Sequence, residues 1–243
     1  MRTVIRVIPG VVAQADAAAR WLSLLGRAAV YLIEDGSSDA AAIADAFVTK
    51  APGSGLRVIQ RLRLSSGDSA AVVAEDAKRL GARAVLYLST DGADAARVVG
   101  ALRTTAPDVV FMGSDAIATD GFLQQAGAAA EGALAMFPGV PLDQYGPEAR
   151  SWVQRYQARF ATEPHPYAIY AYEAARLAVA TAQRAGDAAT DRERMLAALR
   201  DAAKDRPGLL GNWSVGEDGE TTAITHTAVQ ARGGRWIFSR LIG

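Results

Sequence analysis

The run Ala28-Ala29-Val30-Tyr31-Leu32-Ile33, followed by Glu34-Asp35-Gly36-Ser37-Ser38-Asp39, decides the fold class. Six apolar residues in a row, without alternation, predict a strand covered on both faces, the condition of a strand inside a parallel sheet. The polar break after it predicts a turn. Ser38 then caps a helix over 39–50 that turns Ile43, Ala46 and Phe47 inward.

The same alternation of strand and helix continues on both sides of this run. Residues 3–8 read as a strand, because Val-Ile-Arg-Val-Ile alternates, and Arg6 and Pro9 interrupt what would otherwise resemble a signal peptide. A helix over 11–25 follows, with Trp21, Leu22 and Leu25 on one face and Gly26 as its stop. Beyond the turn Pro52-Gly53-Ser54-Gly55 come a strand nearer a sheet edge (57–63), a helix (69–80), a buried strand (84–88), a helix (94–104), a strand (109–112), a short helix (119–128) and a strand (132–137). Short connections between alternating elements predict an α/β fold with a doubly wound, mostly parallel sheet over residues 1–137.

After Pro138 the pattern changes to helices. One spans 147–161, with Pro147 in its first turn and Trp152, Tyr156 and Phe160 four residues apart. A second covers about 167–184. A third begins at a Thr190/Glu193 capping box and runs to about Ala203. Segments 222–231 and 235–242, joined by Gly233-Gly234, predict a C-terminal β-hairpin. The expected division is therefore an α/β lobe (1–137), a helical segment (138–210) and a C-terminal return with the hairpin (211–243).

Composition excludes several chemistries. The 243 residues are 50% hydrophobic and 21% charged, enough apolar content to build a core. Lys+Arg and Asp+Glu are both 26, so no bulk positive charge marks a nucleic-acid partner. No cysteine is present, which removes disulfides, thiolate metal sites and Cys nucleophiles. His165 and His226 are the two histidines; one lies between prolines and one in a strand pattern, so both read as structural. Of the 26 basic residues three are lysines and 23 arginines, a codon-bias signature. No apolar run reaches the roughly 18–20 residues of a spanning helix.

In an open parallel sheet, ligands bind beyond the carboxyl ends of the strands. Three such ends are polar here: Asp35, Ser37, Ser38 and Asp39 after 28–33; Ser89, Thr90 and Asp91 after 84–88; and Ser114 and Asp115 after 109–112. Helix N-termini favour anionic groups and the aspartates an ammonium or guanidinium, so the rim suits a small polar or zwitterionic ligand. Each hydroxyl, taken alone, reads first as a cap or turn former, and it is the convergence of three strand ends on one rim that points to a site. The acids resemble those of phosphoacceptor receiver domains, which hold Mg²⁺, but no lysine follows the later strands. No dinucleotide fingerprint, P-loop or nucleophile elbow occurs. The aromatic stripe of Trp152, Tyr156 and Phe160 reads as core.

In the order of these elements the chain resembles the type I periplasmic solute-binding proteins, the Leu/Ile/Val-binding branch of ABC-importer receptors. Residues 2–9, Val30-Tyr31-Leu32-Ile33-Glu34-Asp35, Ser66-Gly67-Asp68-Ser69, Ala84-Val85-Leu86-Tyr87, Phe111-Met112-Gly113-Ser114-Asp115, Ala130-Glu131-Gly132-Ala133-Leu134, residues 164–174 with Tyr172-Glu173-Ala174, and Gly208-Leu209-Leu210-Gly211 with Val215, Asp218 and Gly219 carry the likeness. The resemblance implies two lobes closing on a small ligand, no catalysis, no cofactor, a periplasmic or extracellular location and, for a full-length chain, a transporter permease as partner. Carried over by position, the second-lobe acid falls at Asp115. Two ligand-facing positions that are often Tyr fall near Asp39 and Asp91, which points to a more polar or cationic ligand than a branched-chain amino acid. About the first third of the family chain has no counterpart, so residues 1–137 correspond to the second lobe and the later helices to part of an incomplete first lobe. Apolar faces of helices 147–203 are then expected to lack a matching sheet. Three origins fit that reading: a piece of a longer protein, a lost fusion partner, or a homo-oligomer joined through those faces. A sensory or protein-interaction domain on the same scaffold is the alternative function.

Overall fold

Side chains of successive strand residues point to opposite faces, and in this molecule each face meets its own layer of helices. The computed structural model describes residues 3–65 and 67–243; Arg2 and Ser66, part of two of the family-like segments, lie outside them. In chain order the elements are α1 (Val11–Leu24), β1 (Ala29–Glu34), α2 (Ser38–Lys50), β2 (Arg57–Arg63), α3 (Ala70–Arg79), β3 (Ala84–Leu88), α4 (Ala93–Thr105), β4 (Val110–Gly113), α5 (Asp120–Ala126) and β5 (Leu134–Pro138). Then come α6 (Pro147–Phe160), α7 (Ala168–Ala185), α8 (Arg192–Ala202), β6 (Arg206–Gly208), β7 (Gly211–Trp213), β8 (His226–Arg232) and β9 (Arg235–Ile242). They fold into two compact units.

The larger unit, Val11–Phe137 with His226–Gly243, holds a seven-stranded sheet in the order β2-β1-β3-β4-β5-β8-β9. The pairs β1–β2, β1–β3, β3–β4 and β4–β5 are parallel, and β8–β9 is antiparallel. This is the expected mostly parallel α/β sheet with its C-terminal hairpin. One face sets Val30, Leu32, Leu86, Leu88 and Met112 against α1 and α2, where Trp21, Leu22 and Phe47 are fully buried. The other sets Tyr31, Ile33, Val85, Tyr87 and Phe111 against α3, α4 and α5. Each of the large side chains contributes on the order of 1.5–3 kcal/mol by burial. The uninterrupted apolar runs of β1 and β3 follow from this double coverage.

The smaller unit comprises the described residues up to Gly10 and Pro138–Thr225. Its core gathers Val7, Tyr145, Ala149, Trp152, Ile169, Tyr170, Leu177, Leu209 and Trp213. Among the described residues its sheet is the antiparallel pair β6–β7, with one isolated bridge between Val215 and Thr221.

The structure departs from the sequence reading at several places. Residues 3–8 form no strand: among the described residues they find no ladder partner, and Arg6 instead donates its backbone N–H to Gly219 O (2.8 Å) and pairs with Glu220 (3.2 Å). The N-cap of α2 is Ser37, whose hydroxyl accepts from Ala40 N, one residue before the expected Ser38. The N-cap of α8 is Asp191, accepting from the N–H groups of Glu193 and Arg194, so the Thr190/Glu193 capping box does not form. Leu25 lies beyond the end of α1 and is 39% exposed. The hairpin begins at His226 rather than 222. The expected division at 137 and 210 also shifts. The first residues join the helical unit, and the return splits at Thr225, since β8 and β9 pair into the large sheet while Trp213, Val215 and Ala223 pack into the smaller unit's core with Leu209.

Candidate functional site

The chain leaves β1 toward β2 on one side of the sheet and reaches β3, β4 and β5 on the other, so a topological switch point lies between β1 and β3. The loops at the ends of these two strands diverge there, and Asp35 and the Ser89-Thr90-Asp91 turn occupy them. Backbone bonds hold both loops in register: Asp35 N donates to Leu88 O (3.1 Å) and Ser114 N to Tyr87 O (3.1 Å).

Asp35 is the hub. Its Oδ1 accepts from Ser37 N (2.8 Å); its Oδ2 accepts from Ser89 Oγ (2.9 Å), Thr90 N (2.8 Å) and Thr90 Oγ1 (3.2 Å). Burial pushes this carboxyl up, but the hydrogen bonds from Ser37, Thr90 and Ser89 outweigh it and hold it at about 2. The single Ser89 hydroxyl proton lies between Asp35 Oδ2 and Asp91 O, and Ser89 Oγ accepts from Asp91 N (2.9 Å). The third strand end joins through Ser114, whose hydroxyl donates to Ser89 O (2.8 Å) and is met by Ser89 N (3.4 Å). Ser89 and Ser114 are buried; Thr90 and Asp91 are exposed. Beneath them, burial pushes the Tyr87 phenol up to about 12, with the charges of Asp94 and Asp35 adding to the effect.

The structure thus brings Asp35, Ser37, Ser89, Thr90, Asp91 and Ser114 into one network. Ser38 and Asp39 sit exposed on the first turn of α2, and Asp115 opens the short 3-10 turn Asp115–Ile117 after β4. The local roles weighed from sequence are real for two residues: Ser37 caps α2, and Asp91 Oδ1 accepts from Ala93 N (3.0 Å) ahead of α4. Two arginines near the rim were not legible in the sequence. Arg63 donates to Gly36 O (3.2 Å), and Arg97 bonds Asp94 (2.6 Å) and Asp68 O (3.4 Å). Among the described residues no group of three or more His, Asp or Glu side chains is placed to hold a metal ion. No helix among them is long and apolar enough to cross a membrane.

The smaller unit has a surface depression of about 420 Å³ lined by Glu148, Ser151, Arg155, Tyr172, Arg176 and Leu209. Below it Glu173, fully buried, accepts from Arg176 (2.9 Å) and from Leu209 N (3.2 Å). The signal for this arrangement was present in Tyr172-Glu173-Ala174, but its partner Leu209 lies 36 residues away.

A leucine-binding protein of Thermotoga maritima superimposes with a TM-score of 0.81 at 21% identity, over 99% of this chain and 68% of its own. A solute-binding protein of R. palustris in complex with benzoate gives 0.77 at 15% identity, over 98% and 65%. An ABC transporter substrate-binding protein of Desulfitobacterium hafniense in complex with Leu gives 0.77 at 17% identity, over 97% and 67%. This chain therefore spans about two thirds of the length of these structures. No curated protein matches the sequence. The family model for periplasmic binding proteins, however, matches residues 2–235, nearly the whole chain, and the protein belongs to that family.

Proposed function

We propose that this protein is the non-catalytic solute-binding component of an ABC-type importer, working in the periplasm or outside the cell and delivering to a membrane permease. Its ligand is a small polar or zwitterionic solute held at the rim where β1, β3 and β4 end. The observation that carries this reading is the Asp35–Ser89–Ser114 network at the switch point, which holds Thr90 and Asp91 exposed on a pre-ordered turn. An ammonium would be met by Asp91 and Asp115, and a carboxylate by the hydroxyls and helix starts of the same rim. The relatives' ligands, leucine and benzoate, share a carboxylate and otherwise differ. Ligand class is therefore read from this chain's own rim, where the two aspartates at Asp39 and Asp91 favour a polar or cationic group.

Isothermal titration calorimetry against amino acids, amines, aromatic acids and Mg²⁺ tests this. Saturable binding of one amino acid or amine, weakened by Asp91→Ala, is the expected result. Mg²⁺-specific stabilisation removed by Asp35→Ala would replace the reading with a metal-dependent one. A second reading, a sensory or protein-interaction domain, is favoured by the exposure of Phe160 (58%) and Val179 (57%). Failure of every solute in the titration selects it.

A further inference from the structure

We propose that the outer edge of β9 receives an extended acidic segment of another protein as an added strand. β9 ends the seven-stranded sheet, so among the described residues it is paired with β8 on one side only, and the outward-facing N–H and C=O groups of its other edge are a template for a further strand. Side chains along this edge are unusually apolar for an exposed strand: Ile237 and Phe238 are each 45% exposed and Leu241 43%. No lysine, acid or proline interrupts Arg235–Ile242. The edge is firmly held. Trp236 stacks on Phe122 at 5.9 Å and donates its indole N–H to Thr119 O (3.2 Å). A bulge at Ser239, where pairing passes from Arg240 to Phe238, leaves Arg235–Phe238 as the regular segment on which a strand can add.

Charge selects the occupant. Arg235 and Arg240 are exposed, and among the described residues neither has an ion-pair partner, although the chain as a whole is neutral. A second copy of β9 would double the arginines at the seam and bring no carboxylate, so charge opposes self-pairing. An extended segment that alternates acidic with β-branched residues satisfies the backbone edge, lays its β-branched side chains beside Phe238 on one face and sets its carboxylates beside Arg235 and Arg240 on the other.

The test is fluorescence anisotropy of a labelled Glu-Val-Glu-Val-Glu-Val-Glu peptide titrated with the full chain. Saturable binding is expected, weakened about tenfold or more by the double substitution Arg235→Glu, Arg240→Glu. It should also weaken on raising salt from about 50 to about 300 mM. A peptide with two consecutive prolines at its centre, which cannot pair along either edge, is expected to lose binding. Unchanged circular dichroism and melting temperature of the double variant would show that the loss is not unfolding. Equal binding of the Lys-Val counterpart, or binding indifferent to the charge reversal, overturns the proposal. So does a concentration-dependent dimer in sedimentation without peptide, if Ile237→Lys abolishes it.

Discussion

Thr90 reaches across 55 residues of sequence to give Asp35 Oδ2 two hydrogen bonds, from its backbone N–H at 2.8 Å and from its hydroxyl at 3.2 Å. A carboxylate so surrounded by donors joins two strand ends that no local interaction would bring together. Its charge state is then linked to the stability of the rim.

Asp35→Asn puts an amide N–H₂ where one carboxylate oxygen accepts, so it is expected to cost about 1.5–3 kcal/mol at neutral pH. The linkage has a definite sign. The carboxyl titrates at about 2 in the folded chain against an ordinary 3.8, so it stabilises the fold above about pH 4, and that contribution fades as pH falls toward 2. Urea midpoints measured from pH 6 down to pH 2 should fall more steeply for the natural chain than for Asp35→Asn. Parallel curves would refute the linkage.

At the start of α2 the two adjacent serines should behave differently. Ser37→Ala removes the hydroxyl that accepts from Ala40 N (3.2 Å) and is expected to cost about 1 kcal/mol. For a chain of this size that is a drop of about 2–4 °C in Tm. Ser38→Ala, at an exposed position in the helix itself, should leave Tm within about 1 °C. Calorimetry of the two variants side by side decides which residue is the cap.

The aromatic stripe of α6 should divide along its length. Trp152 is 6% exposed, within the core of its unit, and lies 5.6 Å from Tyr156; Phe160, the last of the series, is 58% exposed. Trp152→Ala is expected to destabilise by about 3–5 kcal/mol. Phe160→Ala should cost less than about 1 kcal/mol and lower the binding of an apolar dye, because it removes exposed surface. Equal losses in denaturant titrations would mean that Phe160 is covered in solution.

Gly208 packs directly against the Glu173 carboxylate. A methyl group there would overlap the Glu173 carboxylate and come within 3.2 Å of Trp213 Nε1. Gly208→Ala is expected to lower the denaturation midpoint by the equivalent of about 1–3 kcal/mol. Gly53→Ala, with open space at the same position, should be close to neutral. A neutral Gly208→Ala would show that Glu173 has room to move.

The α/β class, the run of strands and helices from β1 to β5, and the three polar strand ends are legible in the residues alone. Period and punctuation are local properties: the unbroken run at 29–33 and the stops at Gly26 and Gly81 are visible without any partner. Whatever depended on a distant segment emerged only from the folded packing. Residues 3–8 alternate like a strand yet remain outside any sheet, since a strand exists only beside another, and Gly219 supplies a single bond. The family resemblance was readable as motifs in order, but the rim's geometry was not. Asp35, Ser89 and Ser114 become one hydrogen-bonded unit only because the sheet order places β3 between β1 and β4, and pairing order is a non-local choice made by the packed core.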